Sequence, residues 1–141
     1  MKSLELLIKR IQYSNPLSPK SHFRNLIKSY NGNDWKKYKI INRYEYNREI
    51  VHHDDRFSLW VMTWDPTQKT TIHSHKELCF LRVLDGELCE YTDFDSTINI
   101  IDNRYKKVKQ GEVLFSNIGD THFIKNNSIN RASSLHLYIK K

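Results

Sequence analysis

Residues 67–86 read TQKTTIHSHKELCFLRVLDG, and the pair His73-x-His75 within them decides the reading of the whole chain. Side chains on a strand alternate between faces, so two histidines one residue apart point the same way. A third histidine lies further on, inside Gly111-(x5)-Asn117-x-Gly119-x2-His122-x3-Asn126. Three imidazoles gathered on one face can hold a divalent ion and leave the opposite coordination positions open. A third stretch, Ser134-Leu135-His136-Leu137-Tyr138, places a serine, a histidine and a tyrosine on one strand parity. In a row on an inner face they can form a polar relay.

The texture around these stretches is β. Short β-branched and aromatic runs predict strands at 48–53, 57–64, 70–75, 79–84, 87–93, 97–101, 104–109, 112–116, 121–126 and 132–139. Asp54-Asp55, Asp65-Pro66, Asp85-Gly86, Asp102-Asn103, Gln110-Gly111 and Gly119-Asp120 break them. Many short strands at close spacing argue for a sandwich or barrel. Ahead of them, Leu4, Leu7, Ile8 and Ile11 recur at helical spacing over 3–13 and stop at Asn15-Pro16. A second helix is expected over 19–30, with Phe23, Leu26 and Ile27 on one stripe. With no repeat or low-complexity linker, residues 1–141 read as one domain: helices in 1–38 packed on a β-barrel of 39–141.

Composition narrows the function. A chain of 141 residues buries about two-thirds of its unfolded surface. No apolar run approaches the roughly 20 residues of a membrane span. The opening MKSLELLIKRIQ carries charges throughout, unlike a secretory signal. Two cysteines, Cys79 and Cys89, are too few for a disulfide scaffold, so a reducing, cytoplasmic setting is expected. The net charge of +7 is spread along the chain rather than clustered and accompanies no nucleic-acid motif, so neither nucleic acid nor membrane is an expected partner. A monomer is the default.

The stretch Thr67-(x5)-His73-x-His75-(x3)-Cys79-(x6)-Gly86 resembles the first motif of the cupin superfamily, G(x)5HxH(x)3–4E(x)6G, with Thr67 for the glycine and Cys79 for the glutamate. Gly111 to Asn126 resembles the second, G(x)5PxG(x)2H(x)3N, with Asn117 for the proline. The resemblance implies a mainly β fold, a double-stranded β-helix jelly-roll barrel with short N-terminal helices. Neutral imidazoles suit iron, nickel, copper or zinc. Were Cys79 a ligand, zinc would be favoured. Were it not, three neutral ligands would leave the metal charge uncompensated and favour an anionic, chelating substrate such as a thiolate.

Cys79 together with Ser134-Leu135-His136-x-Tyr138 is similar to the cysteine dioxygenase family of cupins, and the likeness runs from about residue 5 to 139. It takes in Tyr30-Asn31-Gly32-Asn33-Asp34-Trp35, Tyr44-Glu45-Tyr46-Asn47-Arg48 and Leu84-x-Gly86-x-Leu88-x-Glu90. The resemblance implies that His73, His75 and His122 bind Fe(II), and that Arg48 pairs with the substrate carboxylate, with Tyr46 lining the pocket. It further implies that Tyr138 works beside substrate and oxygen, with His136 and Ser134 behind it. L-cysteine and O2 would be the substrates and cysteine sulfinate the product. Cys79 would be joined to Tyr138 through a thioether rather than bind metal. The segment Lys76-Glu77-Leu78 is one residue shorter than in cysteine-containing members.

Other readings stay open. Dioxygenation of 3-mercaptopropionate shares the scaffold, and the carboxylate-binding arginine counts against cysteamine. A non-catalytic metal-binding cupin would have no need of the Ser134–His136–Tyr138 series. A zinc hydrolase or isomerase would need a general base that no acidic residue after His75 supplies. His22, His52 and His53 read as structural or surface residues, and Cys89, between Glu87 and Glu90, as packing or surface.

Overall fold

The computed structural model describes residues 1–92 and 105–140. Two helices, α1 (Leu4–Tyr13) and α2 (Lys20–Ser29), and a 3-10 turn (Asp34–Tyr38) precede nine strands. These are β1 (Asn47–His53), β2 (Phe57–Trp64), β3 (His73–Ser74), β4 (Leu78–Asp85), β5 (Glu87–Tyr91), β6 (Tyr105–Lys109), β7 (Val113–Ser116), β8 (Thr121–Lys125) and β9 (Ala132–Ile139). The expected strand 97–101, the last residue of 87–93 and the first residue of 104–109 lie outside the described residues. Among the described residues no helix is long and apolar enough to cross a membrane.

The strands form two antiparallel sheets, ordered β1-β2-β9-β4-β7 and β3-β8-β5-β6. The central strands of the larger sheet are buried on both faces, which is why they read as near-continuous apolar runs. On β2, Phe57, Leu59 and Val61 pack under the helices, while Met62 and Trp64 join the core between the sheets. On β9, Leu135, Leu137 and Ile139 face the helices, while Ala132 faces the inner core. Each such side chain contributes about 1.5–3 kcal/mol on burial.

The helix layer is tied down by named contacts. Ser3 caps α1 by accepting from Leu6 N–H at 3.1 Å, and Leu4, Leu7 and Ile11 are buried. Arg82 of β4 reaches the end of α2, where its Nη1 donates to the carbonyls of Ile27, at 2.9 Å, and Tyr30. That arrangement satisfies carbonyls the helix leaves open.

The strand expected over 70–75 shrinks to His73–Ser74 and an isolated bridge between Lys69 and Lys125. Side chains take over bonds that a ladder would use. Ile124 N–H donates to Thr70 Oγ1 at 3.1 Å, and the Thr71 carbonyl lies 2.8 Å from His73 Nδ1. Thr67, at the position of the first motif's glycine, has φ of 74°, where a β-branched side chain is strained.

Candidate metal centre

Strand pairing brings the two motifs together. His73 on β3 is the cross-strand partner of His122 on β8, and His75 follows two residues after His73. The three imidazoles could hold a metal ion, since one ligand atom from each lies within 4.8 Å of the others. His122 Nε2 is 2.7 Å from His75 Nε2 and 3.2 Å from His73 Nε2.

The outer nitrogens fix how these rings are protonated. His73 Nδ1 faces the Thr71 carbonyl, which can only accept, so this nitrogen carries the hydrogen. His122 Nδ1 faces Glu90 Oε2 at 2.8 Å and by the same logic donates to it. When each of these two rings carries only its Nδ1 hydrogen, the Nε2 atoms turn lone pairs toward each other across 3.2 Å. Burial lowers the pKa of His73, and that of His75 to about 4, so both rings are neutral at pH 7. Neutral imidazoles in that apposition repel unless a cation lies between them, and that is the donor arrangement a divalent metal takes.

The rings open into a cavity of about 400 Å³. Tyr46, Arg48, Trp60, Cys79, His136 and Tyr138 all line it, so the sequence-derived candidates converge apart from Ser134, which sits behind His136. Arg48 lies at the exposed edge on β1, its guanidinium 4.7 Å from the Trp60 ring centroid. Among the described residues it has no carboxylate partner within ion-pair distance. Tyr46 stacks on Trp64 at 4.5 Å between centroids.

Behind the cavity the polar row runs in one direction. Trp64 Nε1–H donates to Ser134 Oγ at 2.9 Å, and Ser134 Oγ lies 2.7 Å from His136 Nε2. An indole N–H can only donate, so Ser134 Oγ accepts from Trp64, and its contact with His136 Nε2 ties the imidazole into the row. His136 Nδ1 is buried without a partner, and burial, with the Arg48 charge added, lowers the His136 pKa to about 3. Tyr138 stands across the β4–β9 ladder from Cys79 instead of extending this row. Burial raises the Cys79 pKa to about 12 and that of Tyr138 further above its usual range.

Several neighbours were given no role by the sequence. Glu90 ends the Leu84-x-Gly86-x-Leu88-x-Glu90 stretch, where its parity with Leu88 puts it on the inner face. Glu77 lines the cavity with Oε2 buried and unpaired. His53 stands at the cavity too, whereas His22 bonds Ser14 and His52 pairs with Asp54. Cys89 packs with Tyr91 and Phe123 on the far face of the smaller sheet.

Two facing antiparallel sheets with a histidine cluster between them define a cupin, and solved structures agree. A protein from Thermus thermophilus superposes with a TM-score of 0.64 at 18% identity, covering 77% of this chain and 95% of its own. A cupin superfamily protein from Desulfitobacterium hafniense gives 0.63 at 12% identity over 79% and 92%. A protein of unknown function from Streptococcus pyogenes gives 0.60 at 15% identity over 92% and 95%. Within that fold the chain belongs to the cysteine dioxygenase type I family, whose sequence model matches residues 20–140.

Proposed function

We propose that this protein is an Fe(II)-dependent thiol dioxygenase that converts L-cysteine and O2 to cysteine sulfinate. Thiol plus O2 gives sulfinic acid with atoms balanced and no further reductant. The observation that carries the reading is the pairing, in one cavity, of convergent imidazole lone pairs with the unpaired Arg48 cation. His73, His75 and His122 would hold the iron, which when bound supplies a common site for thiolate and O2.

The chain's own residues account for the rest. Arg48 binds the substrate carboxylate through its planar fork, held in place by stacking on Trp60. Glu77 offers a carboxylate oxygen without a partner, which suits a substrate bearing an amine and supports the choice of L-cysteine. Trp60, Met62, Leu81 and Ile124 wall the cavity and limit water around the reacting sulfur. The Tyr138 hydroxyl, kept protonated by burial, lines the ligand space beside Cys79.

Iron-loaded protein incubated with L-cysteine, 3-mercaptopropionate or cysteamine, with mass spectrometry and oxygen uptake, tests this. Sulfinate from L-cysteine, less from 3-mercaptopropionate and least from cysteamine is expected. Iron-replete protein that yields no sulfinate from any of them would overturn the reading in favour of a metal-binding cupin.

A further inference from the structure

Glu90 and His122 come together through the ladder of the smaller sheet. Glu90 stands opposite Ile124, so His122, two residues before Ile124, is its diagonal neighbour on the same face. The Glu90 side chain is 11% exposed, and Oε2 accepts from His122 Nδ1 at 2.8 Å. Among the described residues that imidazole is its one ion-pair partner. A carboxylate withdrawn from water without a cation is costly. A divalent ion on the far side of the His122 ring would supply the missing positive charge.

We propose that Glu90 is the counter-charge of the metal centre, a positioning residue acting through His122. By accepting from Nδ1 it holds the Nε2 lone pair toward the ligand space and fixes the orientation of the His122 ring. It also sets one negative charge beside three neutral ligands, outside the coordination shell. There it takes over electrostatically what the carboxylate ligand does in two-histidine, one-carboxylate sites. His73 leans on the neutral Thr71 carbonyl, so the centre is electrically lopsided toward β5. The higher oxidation state of a bound iron is thereby stabilised. This inference rests on the metal-site reading above.

The test compares the full chain with Glu90→Gln, which keeps an acceptor oxygen and removes only the charge. Co(II) is titrated in competition with a chelating indicator, and the Fe(III)/Fe(II) midpoint potential of the iron-loaded proteins is measured. Co(II) affinity is expected to fall about 10–100-fold and the potential to rise. Equal affinity and potential in the two proteins would overturn the proposal while leaving the metal site standing. A wild-type chain that binds no divalent metal would overturn both.

Should Glu90→Gln fail to fold, nitrogen-detected NMR of the Zn(II)-loaded wild type carries the test. A downfield, slowly exchanging proton on His122 Nδ1 is expected. Metal bound through that nitrogen, or no such proton, would overturn the proposal.

Discussion

Cys79 and Tyr138 are direct cross-strand partners on β4 and β9, and both line the cavity. The short segment Lys76-Glu77-Leu78 does not disturb this pairing, because the register of β4 is set elsewhere. Leu78 and Phe80 stand opposite Ile139 and Leu137 and share the core under the helices. A slip of one residue would turn that apolar set toward the cavity.

A thioether between the two follows as a prediction. Forming it joins sulfur to the ring carbon beside the hydroxyl, with loss of the thiol and ring hydrogens and transfer of two electrons to O2. Intact-mass and peptide analysis of iron-loaded, aerated protein should find a species lighter by two hydrogens, absent in Cys79→Ser. An unchanged mass after many turnovers would remove the crosslink from this chain.

Arg48→Ala should raise KM for L-cysteine roughly 10- to 100-fold, the worth of a charge-assisted hydrogen bond. Iron content should be unaltered, since Arg48 bonds none of the three histidines. Unchanged steady-state kinetics would take substrate binding away from this residue.

Alanine at His73, His75 or His122 should each abolish iron retention, read by metal analysis after desalting. The variants should separate in the metal-free state. His122→Ala strands Glu90 without its partner and should lower apo stability by about 1–3 kcal/mol, whereas the half-buried His73 costs less. Iron at full occupancy in any variant would strike that histidine from the ligand set.

Acid stability should fall in two windows. The His136 pKa is depressed by burial, so the unfolded chain binds a proton that the native state refuses between about pH 6.5 and 3. Stability is therefore lost as pH falls through that window, and His136→Gln should reduce the slope there, leaving the part that His73 and His75 contribute. Burial pulls the Asp54 pKa upward, but hydrogen bonds from His52 and from the amides of Arg56 and Phe57 outweigh it and lower it from 3.8 to about 2. The stability it gives is present above about pH 3.8 and lost toward 2, and Asp54→Asn should erase that second window. Urea midpoints measured against pH check both.

Backbone strain gives a further pair. Gly86 has φ of 76°, and a Cβ there would meet the Arg131 carbonyl oxygen at 2.8 Å. Gly86→Ala should cost more than the about 1–2 kcal/mol of left-handed backbone alone. Thr67→Gly should instead stabilise by up to about 1 kcal/mol, because the native residue already occupies φ of 74°. Thermal melts of both variants give the sign directly.

Much of this was legible in sequence because periodicity survives folding. The His73-x-His75 and Ser134-x-His136-x-Tyr138 parities predicted shared faces, and the boundaries of β2 and β9 fell where the apolar runs did. The 70–75 strand misled because threonines that favour a ladder also bond it through their side chains, as Thr70 does. The roles of Glu90, seen only as the end of a family-like stretch, and of Glu77 escaped because an acidic residue near a turn looks like any solvated charge. Only strand pairing reveals which ring or cavity it faces. The relay read from Ser134, His136 and Tyr138 was a parity argument, and parity does not say which hydroxyl bonds which neighbour. Tyr138 stands across from Cys79.

The indole behind Ser134 has a consequence for how hydrogen moves in this protein. Trp64 cannot accept and does not release its own N–H proton, so the row ending in it is a dead end: a proton at Ser134 has no onward path through the rear wall. Solvent isotope effects on turnover should then arise from groups facing the open mouth alone, and the rear wall should stay isotopically silent.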